Sequence, residues 1–154
     1  MASKIWERTM IQTVKTPWHL WLVAGLALLW NGFGAFDSFM SLTQGDPYLR
    51  SMGMTEAQIA YFHRFPAWMS VAWVVGTWGG LAGAILLLLR RRWALWAFGA
   101  SFVGVLATIY YIFIGSPDGA EVMGGNTAMT GVITIIAVFL IGYARFMTRR
   151  GVLR

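Results

Sequence analysis

A single aspartate lies inside the first long apolar run of the chain. Asp37 ends the stretch 30–37 (WNGFGAFD), and the run from Trp18 to Leu42 contains no other charged residue. A charged side chain at the centre of a membrane-spanning helix costs about 2.5 to 3.5 kcal/mol on insertion scales. An ionisable residue in such a segment is therefore a candidate for binding a ligand or a proton.

Three further apolar runs follow in the chain. Together with Trp30 and Asn31 of the first run, their polar and aromatic residues are predicted to surround Asp37. We expect them to form an outward-facing site, which suits a sugar through stacking and hydrogen bonds or an organic cation through cation–π contact. The structural alternative is that Asp37 makes a hydrogen bond between helices or pairs with Arg64. The predicted ligand-binding residues are Asp37, Trp30, Asn31, Ser70, Trp73, Thr108, Tyr111 and Thr134.

The sequence contains none of the residue patterns typical of enzymes or metal sites. It has no cysteine, which excludes disulfides and thiolate chemistry. His19 and His63 are predicted near opposite membrane surfaces, so they cannot share a metal ion or a haem. There is also no glycine-rich phosphate loop and no nucleophile beside a base. We therefore expect a protein that is not an enzyme and has no catalytic residue, no metal and no cofactor.

The composition is typical of a membrane protein. Hydrophobic residues make up 58% of the chain and charged residues 12%, whereas soluble domains carry about 25% charged residues. Four apolar runs, at about 18–42, 67–89, 93–115 and 128–147, are each long enough to cross a bilayer as a helix. The predicted fold is all-α: a single domain, 1–154, that forms an antiparallel four-helix bundle in the lipid bilayer.

Lysine and arginine are divided unequally between the segments that flank these runs. Ten of the twelve lie in the basic leader 1–17 (Lys4, Arg8 and Lys15), at Arg90–Arg92 or near the C-terminus. The other two are Arg50 and Arg64. The positive-inside rule then predicts that both termini are cytoplasmic. This topology also accounts for the net charge of +6, so we expect no nucleic-acid partner.

The first outward loop, 43–66, is long for a connection between two helices. Residues 55–58 (TEAQ) fit a capping box, in which Thr55 and Gln58 each bond a backbone N–H group of the other. We therefore expect a short amphipathic surface helix between helices one and two, either as a simple elbow or as a lid over a site. The second outward loop, 116–127, is rich in small residues and is expected to be mobile.

Small residues mark a packing face on the second helix. Gly76, Gly79, Gly80 and Gly83 form two overlapping GxxxG patterns. Glycine lets helix backbones approach closely in a membrane. We expect these four residues to pack against another helix of the chain or in a homodimer.

Four of these motifs together resemble a family of small proteobacterial four-helix membrane proteins. They are WNGFGAFD at 30–37, GTWGG at 76–80, the leucine run that ends in Arg90–Arg92, and GVLR at 151–154. Members are labelled "sugar transporter" or are uncharacterised. The resemblance implies a location in the bacterial inner membrane.

Two functions follow as hypotheses from different classes. The first is a transporter or binder of a small solute, a sugar or an organic cation, at the site around Asp37; transport would need a dimer because four helices leave little room for a pathway. The second is a non-transporting accessory or assembly subunit of a larger membrane complex.

Overall fold

The computed structural model describes residues 15–124 and 127–154, and within those ranges the chain is helical without any strand. The predicted leader residues Lys4 and Arg8 lie outside the described part. A π-helical turn, Tyr111–Gly115, continues the helix Ala94–Tyr110 without a break. The helices are α1 Trp18–Gln44, α2 Asp46–Ser51, α3 Glu56–His63, α4 Ala67–Leu88, α5 Ala94–Tyr110, α6 Gly119–Met123 and α7 Thr127–Arg149.

Four of the helices are long and apolar enough to cross a membrane. They are α1, α4, α5 with its π-helical turn, and α7, and their bounds agree with the four predicted runs to within two residues. The all-α class and the four apolar helices are therefore confirmed. The basic end of the molecule is the end that contains Arg90–Arg92 and Arg149–Arg154. The loop end is the end that contains α2, α3 and α6.

The most extensive helix contact joins α4 to α5, and it depends on glycine. Gly76 lies against Gly104, Gly79 against Ser101, and Gly83 against the ring of Phe98. Because neither Gly76 nor Gly104 has a side chain, the two backbones meet directly. All four predicted packing glycines thus face a neighbouring helix, since Gly80 also lies against α1.

Helix α4 packs on α1 with its other side. Asn31 Oδ1 rests against Gly80, where a Cβ atom would overlap it. Thr77 Oγ1 donates a hydrogen bond to Ser38 Oγ at 3.1 Å, and Ser38 is fully buried. The central helix pair α4 and α5 is therefore flanked by α1 on one side and by α7 on the other.

The largest apolar cluster fills the basic end. Its members come from α1, α4, α5, α7 and the last residues of the chain: Leu20, Ala24, Ala27, Ala84, Leu87, Ala94, Phe98, Leu140, Ala144, Met147, Val152 and Leu153. His19 Nδ1 lies 2.6 Å from the hydroxyl of Tyr143 at the same end, so α1 and α7 meet there.

The C-terminal residues fold back onto this cluster. Gly151 has a φ of 69°, and the Val152 N–H group donates to the Met147 carbonyl at 3.0 Å, which is the bond pattern of a Schellman helix end. The tail then pairs with the turn after α4: Arg154 N donates to Arg90 O at 2.8 Å, and Arg92 N donates to Arg154 O at 2.9 Å. The last residues therefore close the basic end.

Short helices and ion pairs build the loop end. The capping box of α3 is confirmed, because Thr55 and Gln58 make both of its hydrogen bonds. Helices α2 and α6 were not predicted. Gly119–Met123 of the predicted loop 116–127 is helical, as α6, and the mobility of that loop stays a prediction. Arg64 donates to Asp118 Oδ2 at 2.6 Å, which ties the end of α3 to the start of α6 and lowers the pKa of Asp118.

Candidate functional site

A cavity of about 400 Å³ lies between the four long helices. It extends from Phe98 and Leu140 at the apolar cluster to Asp37 and Met129 towards the loop end. Most of its lining is apolar or aromatic, and all four long helices contribute residues to it. The aromatic residues of its lining are Trp30, Phe33, Trp73 and Phe98.

Five of the eight predicted ligand-binding residues line this cavity: Trp30, Asn31, Asp37, Trp73 and Thr108. Trp30, Asn31 and Asp37 lie on two turns of α1, Trp73 on α4 and Thr108 on α5, and the cavity lies between these helices.

The other three predicted residues do not line it. Ser70 lies in the first turn of α4, and Thr134 Oγ1 donates to the carbonyl of Thr130 at 2.8 Å. Tyr111 belongs instead to an aromatic group near the loop end, where its ring contacts Tyr61, Phe65 and Trp68.

Asp37 has a partner that the sequence did not predict. The hydroxyl of Tyr48 donates to Asp37 Oδ1 at 3.0 Å, and Tyr48 belongs to the short helix α2. Burial of the ring, together with this hydrogen bond, raises the pKa of Tyr48. Arg64 is not the partner of Asp37, because it pairs with Asp118. Within the described residues, Asp37 Oδ2 accepts no hydrogen bond.

Most other polar groups of the cavity bond to the helices themselves. Ser101 Oγ donates to Gly76 O at 2.5 Å, and Thr108 Oγ1 donates to Gly104 O at 2.9 Å. Asn31 Nδ2 donates to Ala27 O at 2.8 Å. These hydroxyl protons and one N–H of Asn31 are therefore occupied, and Asp37 is the ionisable residue of the cavity lining.

A second cavity of about 190 Å³ lies directly beneath the short helices of the loop end. Asp37, Trp73 and Thr108 line both cavities, so the carboxylate stands at their boundary. In the sequence, Asp37 was the residue that indicated a site at this position. The contribution of α2 could not be predicted, because Tyr48 approaches Asp37 only through the turn at Gly45, which has a φ of 61°.

Histidine and carboxylate side chains are not grouped for metal binding in the part of the chain that the structure describes: no three of them could hold an ion. No protein-family model, curated protein or solved structure matches this chain.

Proposed function

We propose that the chain is an integral protein of the bacterial inner membrane, that its four long helices form an antiparallel bundle, and that both termini are cytoplasmic. The shortest helical span has 22 residues, about 33 Å at 1.5 Å per residue, and the hydrocarbon core is about 30 Å thick. The α4–α5 contacts support opposite directions, because the partner of Gly76 is Gly104 whereas that of Gly83 is Phe98. The positive-inside rule supports cytoplasmic termini.

Large apolar side chains exposed on the outer faces of all four long helices support the membrane assignment. Leu29 of α1 is 74% exposed, Val71 of α4 62%, Trp96 of α5 72% and Ile135 of α7 70%. Soluble monomers rarely expose apolar patches beyond a few hundred Å². A lipid environment removes this surface from water.

Within this bundle, the 400 Å³ cavity binds a small organic cation with an apolar body. The observation that carries the proposal is one carboxylate, Asp37, in a cavity lined mainly by apolar and aromatic side chains. The indole of Trp30 or Trp73 can attract a cation over its ring face, and the carboxylate balances its charge. A sugar is supported less well, because its hydroxyl groups need several partners, whereas the hydroxyl protons of Ser101 and Thr108 and one N–H of Asn31 are already donated to backbone carbonyls.

The closed basic end favours a binder over a transporter in a single copy of the chain. The packed cluster, the contact between α1 and α7 and the folded tail fill the space between the cavity and that end. A ligand therefore has access from the loop end or from between the helices. Transport would require opening of this cluster or a second copy.

Calorimetric titration with benzyltriethylammonium, and with glucose as the uncharged comparator, tests the proposal. We expect saturable binding of the cation alone. Asp37→Asn keeps the shape and should weaken binding at least about tenfold, since a charge pair at 4 Å is worth about 4 kcal/mol in partly desolvated surroundings. Glu121→Gln removes an exposed acid of α6 and should leave binding unchanged. Equal affinity of wild type and Asp37→Asn, or binding of glucose alone, would contradict the assignment.

An accessory subunit remains the second candidate, favoured by the outer face of α7. Helix α7 packs mainly on α5, and Gly131 and Gly142 have no neighbour within 4 Å. Such a face permits close approach of another helix. Purification in mild detergent should then yield a stoichiometric second subunit that Gly142→Leu releases. A wild-type protein that purifies alone would argue against this function.

A further inference from the structure

Four methionines meet at the smaller cavity. Met52 follows α2, Met54 lies in the connection to α3, Met69 is in the first turn of α4, and Met123 ends α6. The described residues include seven methionines in all, so more than half of them line this one space of about 190 Å³. Their convergence from four separate segments distinguishes them from a row along one helix.

The chemistry of this group favours a soft metal ion. Thioether sulfur is a weak hydrogen-bond acceptor but a good ligand for Cu(I), whereas harder divalent ions prefer oxygen and nitrogen. Methionine has three rotatable bonds, so its sulfur atom can adjust to an ion. Met69 is 1% exposed, which keeps at least one of these thioethers away from competing water.

Charge and aromatic surface in the same cavity complement a monovalent cation. Asp37 lines it and supplies one negative charge, while the Tyr48 hydroxyl engages only Oδ1. The rings of Phe62 and Trp73, which contact each other at 5.5 Å between centroids, also line it. Aromatic faces attract cations.

We propose that the smaller cavity is a binding site for one Cu(I) ion, with ligands drawn from Met52, Met54, Met69 and Met123. The two cavities share Asp37, Trp73 and Thr108 in their lining, whereas the four proposed thioether ligands line only the smaller one. The metal proposal therefore does not depend on binding of an organic cation. Asp37 balances the charge of the ion from the boundary.

The test uses the full chain with ¹³C-methyl-labelled methionine, titrated with Ag(I) as a redox-stable substitute for Cu(I). The methyl signals of Met52, Met54, Met69 and Met123 should shift together and stop at one equivalent. Met147, in the apolar cluster of the basic end, should not shift. Signals are assigned by single Met→Leu substitutions, which nearly conserve volume.

A matched pair of variants measures the affinity. Met54→Leu together with Met123→Leu should weaken Ag(I) binding at least about tenfold, as loss of groups that support a metal does. Met129→Leu removes a thioether that lines only the larger cavity, and it should have no effect. Shifts spread over Met129 and Met147, no shift at one equivalent, or equal affinity of the double variant and wild type would overturn the proposal.

Discussion

The hydrogen bond from Tyr48 to Asp37 holds a charged group in place near the loop end. Asp37 lies seven positions before Gln44, the last residue of α1. At 1.5 Å per residue, it is therefore about 10 Å from that end of the helix. Hydrogen bonds to charged groups contribute about 1.5 to 3 kcal/mol. Tyr48 thereby fixes one oxygen of Asp37, and the other accepts no hydrogen bond from the described residues.

Tyr48→Phe removes the donor and retains the ring. We expect the free energy of unfolding to fall by about 1 to 3 kcal/mol, because the carboxylate loses its partner. Thermal unfolding in detergent measures this loss, with Tyr110→Phe, an exposed tyrosine on α5, as the control that should change nothing. The raised pKa of Tyr48 gives the sign with pH: the contribution is complete below pH 10 and disappears as pH rises through the folded-state pKa. Equal unfolding temperatures for Tyr48→Phe and wild type would contradict this role.

Arg90 adopts a backbone conformation that favours glycine. Its φ of 57° places it in the left-handed region, at the turn where α4 ends. Arg91 N donates to Leu86 O at 2.8 Å, so the turn is a Schellman motif with arginine at the usual glycine position. A non-glycine residue there costs about 1 kcal/mol or more.

Arg90→Gly should therefore raise the free energy of unfolding by up to about 1 kcal/mol. Arg91→Gly removes the same charge at a position without positive φ, and it should lower stability because glycine adds disorder to the unfolded chain. Comparing the two variants by thermal unfolding isolates the backbone effect. If both variants lose stability equally, Arg90 carries no strain.

At the scale of the helices, the contact between α4 and α5 is set by backbone rather than side chains. A Cβ atom on Gly104 would overlap Ala72 O and the backbone N of Gly76, and neither can move without shifting a helix. Gly99, on the same helix, has nothing within 4 Å. The two glycines therefore differ in packing although their propensity is the same.

Gly104→Ala and Gly99→Ala should change stability in opposite directions. The first separates α4 from α5 and should cost more than about 1 kcal/mol, in the range of core overpacking. The second removes a helix-interior glycine and should gain up to about 1 kcal/mol. Thermal unfolding of both variants, each checked for helix content by circular dichroism, measures the difference. If Gly104→Ala loses no stability, the two helices adjust without cost and the prediction is wrong.

The helices differ in how far the sequence determines them. Uninterrupted apolar runs fix α1, α4, α5 and α7, and the Thr55–Gln58 capping box marks the start of α3. Helices α2 and α6 have six and five residues, and helices this short form mainly through tertiary contacts. Tyr48 was missed for that reason.

The rotation of each helix decided which predicted residues share the cavity. Thr108 and Trp73, which were chosen by their depth along the helices, line the same cavity as Asp37. Depth alone did not exclude Tyr111, which lies in the π-helical turn and faces Tyr61 and Phe65. A small change in rotation per residue at this turn redirects a side chain, and an apolar run carries no signal for it.

The whole molecule has two unlike ends. Apolar packing and the folded tail close the basic end, whereas ion pairs such as Arg50–Glu56 and Arg64–Asp118 hold the loop end. Exposed ion pairs contribute about 0 to 1 kcal/mol each, much less than a buried apolar side chain at about 1.5 to 3 kcal/mol. The loop end also buries apolar side chains, among them Leu49, Ile59 and Met69, and the smaller cavity lies beneath its short helices.

The proposed orientation places the loop end outside the cytoplasm. The chain has no cysteine, so a single introduced cysteine is the only thiol to be labelled. Ala57→Cys lies on the exposed face of α3, and Arg149→Cys lies at the exposed end of α7. In spheroplasts, whose outer membrane has been removed, a membrane-impermeant maleimide should label Ala57→Cys at once. It should label Arg149→Cys only after the membrane is permeabilised.

Ten basic residues at the cytoplasmic side would oppose the reverse insertion. Labelling of Arg149→Cys in sealed spheroplasts would invert the orientation and place the cavities on the cytoplasmic side; labelling of both variants would contradict an arrangement in which the two ends lie on opposite sides of the membrane.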